Sequence, residues 1–152
     1  MEEDIKSLET RVTSLEKTNQ RVLNTSFVTV LLANTDAATD ANYTHFFTAT
    51  KPCFVKSITE VHATKGTDGS AVTLQVERLT STTAPGSGTG LLTSEFNLKG
   101  DINTVQYGGL RTGNPLISQT GLNVGDRLSL KKTGTLTAVA SLLVTVELAY
   151  YN

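Results

Sequence analysis

The chain has 152 residues, of which 38% are hydrophobic and 18% charged, the size and composition of about one globular domain. Thirteen basic and fourteen acidic residues give a net charge of -1, so no positive field is available to bind nucleic acid or an anionic membrane surface. The only cysteine, Cys53, and two histidines are too few for an intrachain disulfide or a structural zinc site, and we expect no cofactor. The amino terminus is acidic, and no apolar run is long enough to span a bilayer. A protein made in the cytoplasm, without a membrane partner, is therefore expected.

The first predicted element is a helix over residues 1–24 with a narrow apolar seam. The seam residues are spaced alternately by three and four positions: Ile5, Leu8, Val12, Leu15, Asn19 and Val22. These spacings place them at positions a and d of a heptad repeat, which is typical of a coiled coil rather than of a helix packed on a sheet. Asn19 at an a position would fix the register of the helices. An isolated, solvent-exposed helix with ordinary ion pairs is the alternative.

The centre of this helix resembles the Arg-h-x-x-h-Glu trimerisation motif of short parallel three-stranded coiled coils. Arg11 and Glu16 occupy the charged positions of the motif, and Val12 and Leu15 occupy the apolar ones. The resemblance implies that Arg11 reaches toward Glu16 of a neighbouring helix while its methylene stem covers the apolar layers. Since a helix of roughly 18 residues is marginal by itself, the bundle must be held partly by the β-rich part of the chain that comes after it.

The second predicted unit, residues 25–152, is an antiparallel β-sandwich of jelly-roll type. Short runs of Val, Leu, Phe, Thr and Tyr alternate there with turn residues, a pattern that favours strands over helices. The predicted strands are residues 27–33, 43–50, 53–63, 71–79, 91–98, 127–132 and 138–150. A domain of this size buries about two thirds of its unfolded surface, enough for a core without metals or disulfides.

Alternation along these strands predicts which side chains face the core. In the strand 71–79, three polar residues are expected on the face opposite the core: Thr73, Gln75 and Glu77. In the last strand, four residues share the core face: Leu142, Val144, Val146 and Leu148. The second face of the last strand also carries Leu143 and Ala149, which would allow it to pack against a neighbour in a trimer.

Two long loops are candidates for partner binding, because binding residues concentrate in loops carried by a rigid scaffold. The loop from Ser81 to Gly90 is rich in Gly, Ser and Thr and has no apolar anchor. The loop from Lys99 to Gly125 is glycine-rich and carries three candidate partner-binding residues: Tyr107, Arg111 and Asn114.

No catalytic or metal-binding residue is assigned from the sequence. The run from Gly86 to Gly90 lacks the Lys-Ser/Thr ending of a phosphate loop and precedes a predicted strand, so a flexible hairpin loop is expected. Neither His45 nor His62 has a nucleophile or a second ligand at a recognised spacing, which favours structural roles. Cys53 has hydrophobic neighbours along the chain and is interpreted as a core residue. We therefore expect no enzymatic activity.

These features together resemble the small trimeric virion proteins of tailed bacteriophages. The resemblance lies in the seam from Ile5 to Val22 and in the turn and strands near the carboxyl end, residues 125–130 and 142–148. It implies a non-enzymatic homotrimer located in the virion, either a capsid decoration protein or a head fibre, bound to the major capsid protein or other virion proteins. The alternative is a tail fibre or receptor-binding trimer that contacts a host surface or a glycan. A hydrolase is a third alternative, if two carboxylates, or a histidine and an acid, converge in a groove beside the loop from Lys99 to Gly125.

Overall fold

The computed structural model describes residues 3, 5–7, 24–32, 45–111 and 120–150. Residues 3 and 5–7 are α-helical, and the Ile5 side chain is exposed. No coiled coil is visible among the described residues. The remaining seam and motif residues lie outside them: Leu8, Arg11, Val12, Leu15, Glu16, Asn19 and Val22. The trimeric coiled coil and the boundary after residue 24 therefore stay predictions.

The described part of the chain is mainly β and forms two antiparallel sheets, as predicted. The strands are β1 (Asn24–Leu32), β2 (His45–Thr48), β3 (Cys53–Val61), β4 (Thr73–Leu79), β5 (Thr89–Gly90), β6 (Phe96–Asn97), β7 (Gln106–Tyr107), β8 (Gly121–Leu122), β9 (Arg127–Thr133) and β10 (Leu142–Tyr150). Sheet A has the order β1-β10-β3-β7, with β8 also paired to β3. Sheet B has the order β2-β9-β4-β5, with β6 also paired to β4.

Strands from the two halves of the domain pair in a nested order. The first strand pairs with the last, β1 with β10, and the second with the second to last, β2 with β9. Inside these pairs, β3 pairs with β7 and β8, and β4 pairs with β5 and β6. As a result β10 is a central strand of sheet A, and β1, where the described β domain begins, is at its edge.

One hydrophobic core fills the space between the two sheets. The predicted core face of β10 is confirmed, because four of its residues are fully buried: Leu142, Val144, Val146 and Leu148. Sheet B contributes four further buried residues to the same cluster: Leu74, Val76, Leu128 and Leu130. Complete burial of one such side chain stabilises the fold by about 1.5–3 kcal/mol. The apolar side chains at every second position of β4, β9 and β10 thus hold the two sheets together.

Most predicted strands are present, with shifted ends. β1 starts earlier than the predicted residue 27, whereas β10 starts at Leu142 rather than at residue 138. The late start of β10 has a local cause, since the N–H of Val139 donates to the carbonyl of Leu136 at 2.9 Å and closes a turn there.

The single strand predicted over residues 91–98 is wrong. Only residues 96–97 of that range form a strand, β6, while β5 ends just before it at Gly90; both short strands pair with β4. After β5 the N–H of Leu91 still donates to the Val76 carbonyl of β4 at 2.8 Å, but Leu92 is bonded by the side-chain amide of Gln75 instead. Its Oε1 accepts from the N–H of Leu92 at 2.9 Å, and its Nε2 donates to the Leu92 carbonyl at 3.3 Å. A side chain thus replaces a backbone partner.

The polar face of β4 does not lie in solvent. Gln75 and Glu77 lie on the face opposite the core, yet they are 5% and 0% exposed. The segment containing Gly88 crosses over these two side chains and covers that face. Gly88 lies so close to Leu79 and the Arg78 carbonyl that a side chain at this position would not fit. Sheet B is therefore covered on both faces along β4.

Candidate partner-binding surface

The predicted binding loop is described over residues 99–111 and 120–125, and it places Tyr107 on the surface. Tyr107 lies in β7 opposite Thr59 and is 81% exposed, the most exposed large apolar side chain among the described residues. Aromatic side chains in such positions offer a flat apolar contact with a polar tip. Asn114, the third candidate, lies outside the described residues.

Arg111, the second candidate, holds the loop to the segment beside it. Its N–H donates to the Leu91 carbonyl at 2.7 Å, and its Nε donates to the Leu92 carbonyl at 2.8 Å. Thr93 supports the same junction, because its N–H and its Oγ1 both donate to the Gly109 carbonyl. Arg111 therefore positions the loop, while a contact of Arg111 with a partner stays a prediction.

A buried polar network lies directly behind Tyr107. Glu60 is paired with Gln106, the strand neighbour of Tyr107, and its Oε2 accepts from Gln106 Nε2 at 2.8 Å. Its Oε1 lies 2.8 Å from His62 Nδ1, and both the carboxylate and the imidazole are fully buried. His62 Nε2 has no hydrogen-bond partner among the described residues. The network fixes β7 to β3 and so fixes the orientation of the strand that carries Tyr107.

The sequence did not lead to this pairing, although its signal was present. Residues two apart on a strand share a face, so the predicted strand over residues 53–63 already placed Glu60 and His62 side by side. Burial raises the pKa of Glu60, while the hydrogen bond and charge of His62 and the hydrogen bond from Gln106 oppose that shift only in part. The interpretation of His62 as a structural residue agrees with this contact, since its imidazole serves a buried carboxylate.

Glu60 should make the stability of the fold decrease as pH rises. The unfolded carboxyl group ionises near its ordinary value of 4.5, whereas the folded one, with its raised pKa, retains the proton to a higher pH. Its contribution is therefore complete below pH 4.5 and is lost as pH rises through the folded pKa. We expect Glu60→Gln to remove this decrease from the free energy of unfolding, measured by urea denaturation at several pH values.

Glu147→Gln is the matched control for that measurement. Hydrogen bonds from Lys56 and Ser57 lower the pKa of Glu147, so its contribution is present above its ordinary pKa and is lost as pH falls. The two variants should therefore change the pH dependence with opposite signs. Parallel curves for the wild type and Glu60→Gln would contradict the role given to Glu60.

The Gly-rich loop after Ser81 is organised around a buried carboxylate, which corrects its description as a flexible hairpin loop. The Glu77 carboxylate accepts hydrogen bonds from the N–H of Gly86, from the N–H of Gly88 at 2.8 Å and from Ser129 Oγ at 2.7 Å. Backbone N–H groups of a tight turn that converge in this way form an anion-binding concavity. Here the anion belongs to the protein itself, so these amide groups are engaged in holding the loop on β4.

The other reactive side chains lie in two different environments. Cys53 is buried in the core, as predicted, and burial, with a smaller contribution from Asp126, raises the pKa of its thiol. His45 is exposed at the start of β2.

In the part of the chain that the structure describes, no group of three His, Cys, Asp or Glu side chains could hold a metal ion. No helix there is long and apolar enough to cross a membrane.

Comparison with known proteins gives no relative for this chain. No protein-family model, no curated protein and no solved structure matches it.

Proposed function

We propose that this chain is a non-enzymatic virion structural protein of a tailed bacteriophage, a homotrimer that decorates the capsid or forms a head fibre. The observation that carries the proposal is the heptad seam with its Arg11–Glu16 motif, which ends at Val22, directly before β1 begins at Asn24. Because no linker separates the coiled coil from the β domain, the three β domains would be arranged with the same three-fold symmetry as the helices. The virion is then its location, after synthesis in the host cytoplasm.

The strand order supports the finer description of the β domain as a jelly roll. A jelly roll consists of two antiparallel sheets in which a folded-over ribbon pairs outer strands with outer strands and inner with inner. The nested pairs β1 with β10 and β2 with β9 follow this scheme, and short strands complete both sheets. Jelly rolls are common in viral capsid and lectin domains, so the architecture suits a shell protein and a surface-binding protein alike.

Trimerisation would provide adhesion through symmetry. Three identical contacts with capsid proteins, joined in one particle, act at a high effective concentration, and the combined affinity can exceed that of each contact about 100-fold or more. Weak individual contacts are then sufficient. The chain itself supplies rigid β domains and two long loops for these contacts.

One observation favours the alternative, a tail fibre or receptor-binding trimer. Tyr107 is strongly exposed and is held by the buried Glu60 network, so it is a rigid aromatic platform of the kind that binds a glycan or a host protein.

The two functions differ in copy number, because capsid decoration follows the symmetry of the shell and a tail tip does not. Quantitative mass spectrometry of purified virions that gave tens to hundreds of copies would support decoration, and a handful would support the alternative.

The trimer is tested by the variant Leu8→Ser/Leu15→Ser. Both leucines are at d positions, so their loss should convert a particle of three times the 16.2 kDa chain mass into monomers, measured by light scattering after size exclusion. The control is Thr10→Ser/Lys17→Ser, which places two serines at outward f positions of the same helix. A wild-type chain that is monomeric, or a double serine variant of unchanged mass, would contradict the proposed coiled coil.

A further inference from the structure

The outer face of β1 is the most apolar exposed surface of the described sheets. Its outward residues are Thr25, Phe27, Thr29 and Leu31, all of them exposed, and Phe27 and Leu31 are 66% and 67% exposed. Solvent exposure of two large apolar side chains on one strand is costly, and contiguous patches of this kind mark interaction sites.

The strand register extends this surface across sheet A. Leu31 lies opposite Leu143, and Leu143 lies opposite Val61, so one row of aliphatic side chains crosses three strands. The next row crosses four strands, β1, β10, β3 and β7, and is formed by Thr29, Thr145, Thr59 and Tyr107. Of the two residues predicted to pack against a neighbour from β10, Leu143 lies in this surface, whereas Ala149, beyond the register shift after Glu147, is fully buried within the single chain.

β1 is also an unprotected edge. None of the described strands pairs with its outer side, so the backbone N–H and C=O groups along that side have no partner among these strands. Natural edge strands are usually protected by lysine, by proline, by a bulge or by being short. β1 has nine residues, NTSFVTVLL, without a charge or a proline, and its register with β10 is unbroken. An edge of this composition is typical of a strand that is covered in the working protein.

We propose that the outer face and edge of β1 form the contact between copies of this chain, so that the β domains themselves associate around the three-fold axis. The proposal rests on the proposed homotrimer. Helices in a coiled coil lie about 8–10 Å apart, and β1 starts two residues after the last seam residue, Val22. The three β1 strands therefore start close together, and the surface nearest each of them is another copy.

The charges on this face are compatible with an identical partner. β1 carries none, and the nearest charged pair, Lys56 and Glu147, is closed on itself at 2.8 Å. Identical faces can then approach the axis without repulsion between like charges, which a charged face could not do. The association would also supply the support that the short helical bundle requires.

The test compares two double variants of the full-length chain. Phe27→Ser/Leu31→Ser removes the apolar side chains of the β1 face. Ile102→Ser/Val124→Ser is the matched control, because these aliphatic side chains are 46% and 65% exposed and lie in loops, outside every strand of sheet A. Sedimentation velocity over a dilution series should show that the β1 variant raises the concentration at which half the trimers dissociate by at least about tenfold, with the control unchanged. Circular dichroism checks that both variants fold.

Hydrogen exchange on the wild type gives a second, independent measurement. The β1 amide groups that point away from β10 should exchange slowly in trimers and faster after dilution to monomers. Equal protection in both states would show that another segment of the same chain covers β1, and protection only in assembled virions would show a foreign partner; either result overturns the proposal. A β1 variant that associates like the wild type overturns it too, but leaves the coiled coil intact. A wild type that is monomeric at every concentration overturns the proposed trimer instead.

Discussion

Replacement of Glu77 by alanine is expected to lower the free energy of unfolding by about 3 kcal/mol or more, one of the two largest effects expected of a single substitution in this chain. The carboxylate is fully buried and accepts three hydrogen bonds, from the backbone of Gly86 and Gly88 and from the hydroxyl of Ser129. Without it, two amide groups and a hydroxyl group lose their acceptor at a buried position. Each hydrogen bond to a charged group contributes roughly 1.5–3 kcal/mol.

Glu77→Gln separates the shape of the side chain from its charge. Glutamine retains one oxygen, which can serve Gly86 and Ser129, but its NH₂ group then faces the N–H of Gly88, and two donors meet. We therefore expect stability in the order wild type, glutamine variant, alanine variant, measured by chemical denaturation. The control is Glu95→Ala, since Glu95 is exposed and accepts from Thr73 Oγ1 in contact with solvent, where a lost hydrogen bond costs less than about 1 kcal/mol. Equal denaturation midpoints for the two alanine variants would contradict the role of Glu77.

The sequence predicts best where one face of a strand is apolar and the other is polar. In β10 the period of two is clear, and its core residues are buried as expected. In β4 the same reasoning places Gln75 and Glu77 correctly on the second face but misses their burial. A loop of Gly, Ser and Thr has no apolar signal, so nothing in its composition reveals that its amide groups bind a buried carboxylate. Polar contacts of this kind depend on which loop crosses which strand.

The candidate partner-binding surface is predicted only in part, because its polar contacts also depend on which segments meet in the fold. Tyr107, in a glycine-rich loop, is exposed as expected, whereas Arg111 is engaged with backbone carbonyls that lie nearly twenty residues earlier in the chain. The apolar run of β1 has no clear alternation, since Phe27 and Leu31 on one face are matched by Val28 and Val30 on the other. Such a run predicts a strand buried on both faces. In one copy of the chain only Val28 and Val30 pack against the core, where they are partly buried, and the proposed association would cover the other face.

Replacement of Gly134 by alanine is expected to destabilise the fold by about 3 kcal/mol, for two separable reasons. Gly134 follows β9 and has φ of +77°, which is unfavourable for a residue with a side chain. A Cβ at this position would also overlap the carbonyl oxygen of Ala71 and lie 3.3 Å from Cα of Val72. Val72 is a fully buried core residue, so a shift of its backbone to relieve the overlap would disturb the packing between the sheets.

Two other glycines allow the two causes to be measured separately. Gly125 has φ of +88°, but a Cβ there meets nothing within 4 Å, so Gly125→Ala reports the backbone strain alone, about 1 kcal/mol. Gly69→Ala has neither the strain nor the overlap and should leave the free energy of unfolding within about 0.5 kcal/mol of the wild type. The excess of Gly134→Ala over Gly125→Ala then measures the contact with Ala71. If Gly134→Ala and Gly125→Ala were equally stable, the turn after β9 could move without cost to the core. The contact with Ala71 would then not be what fixes the position of this turn.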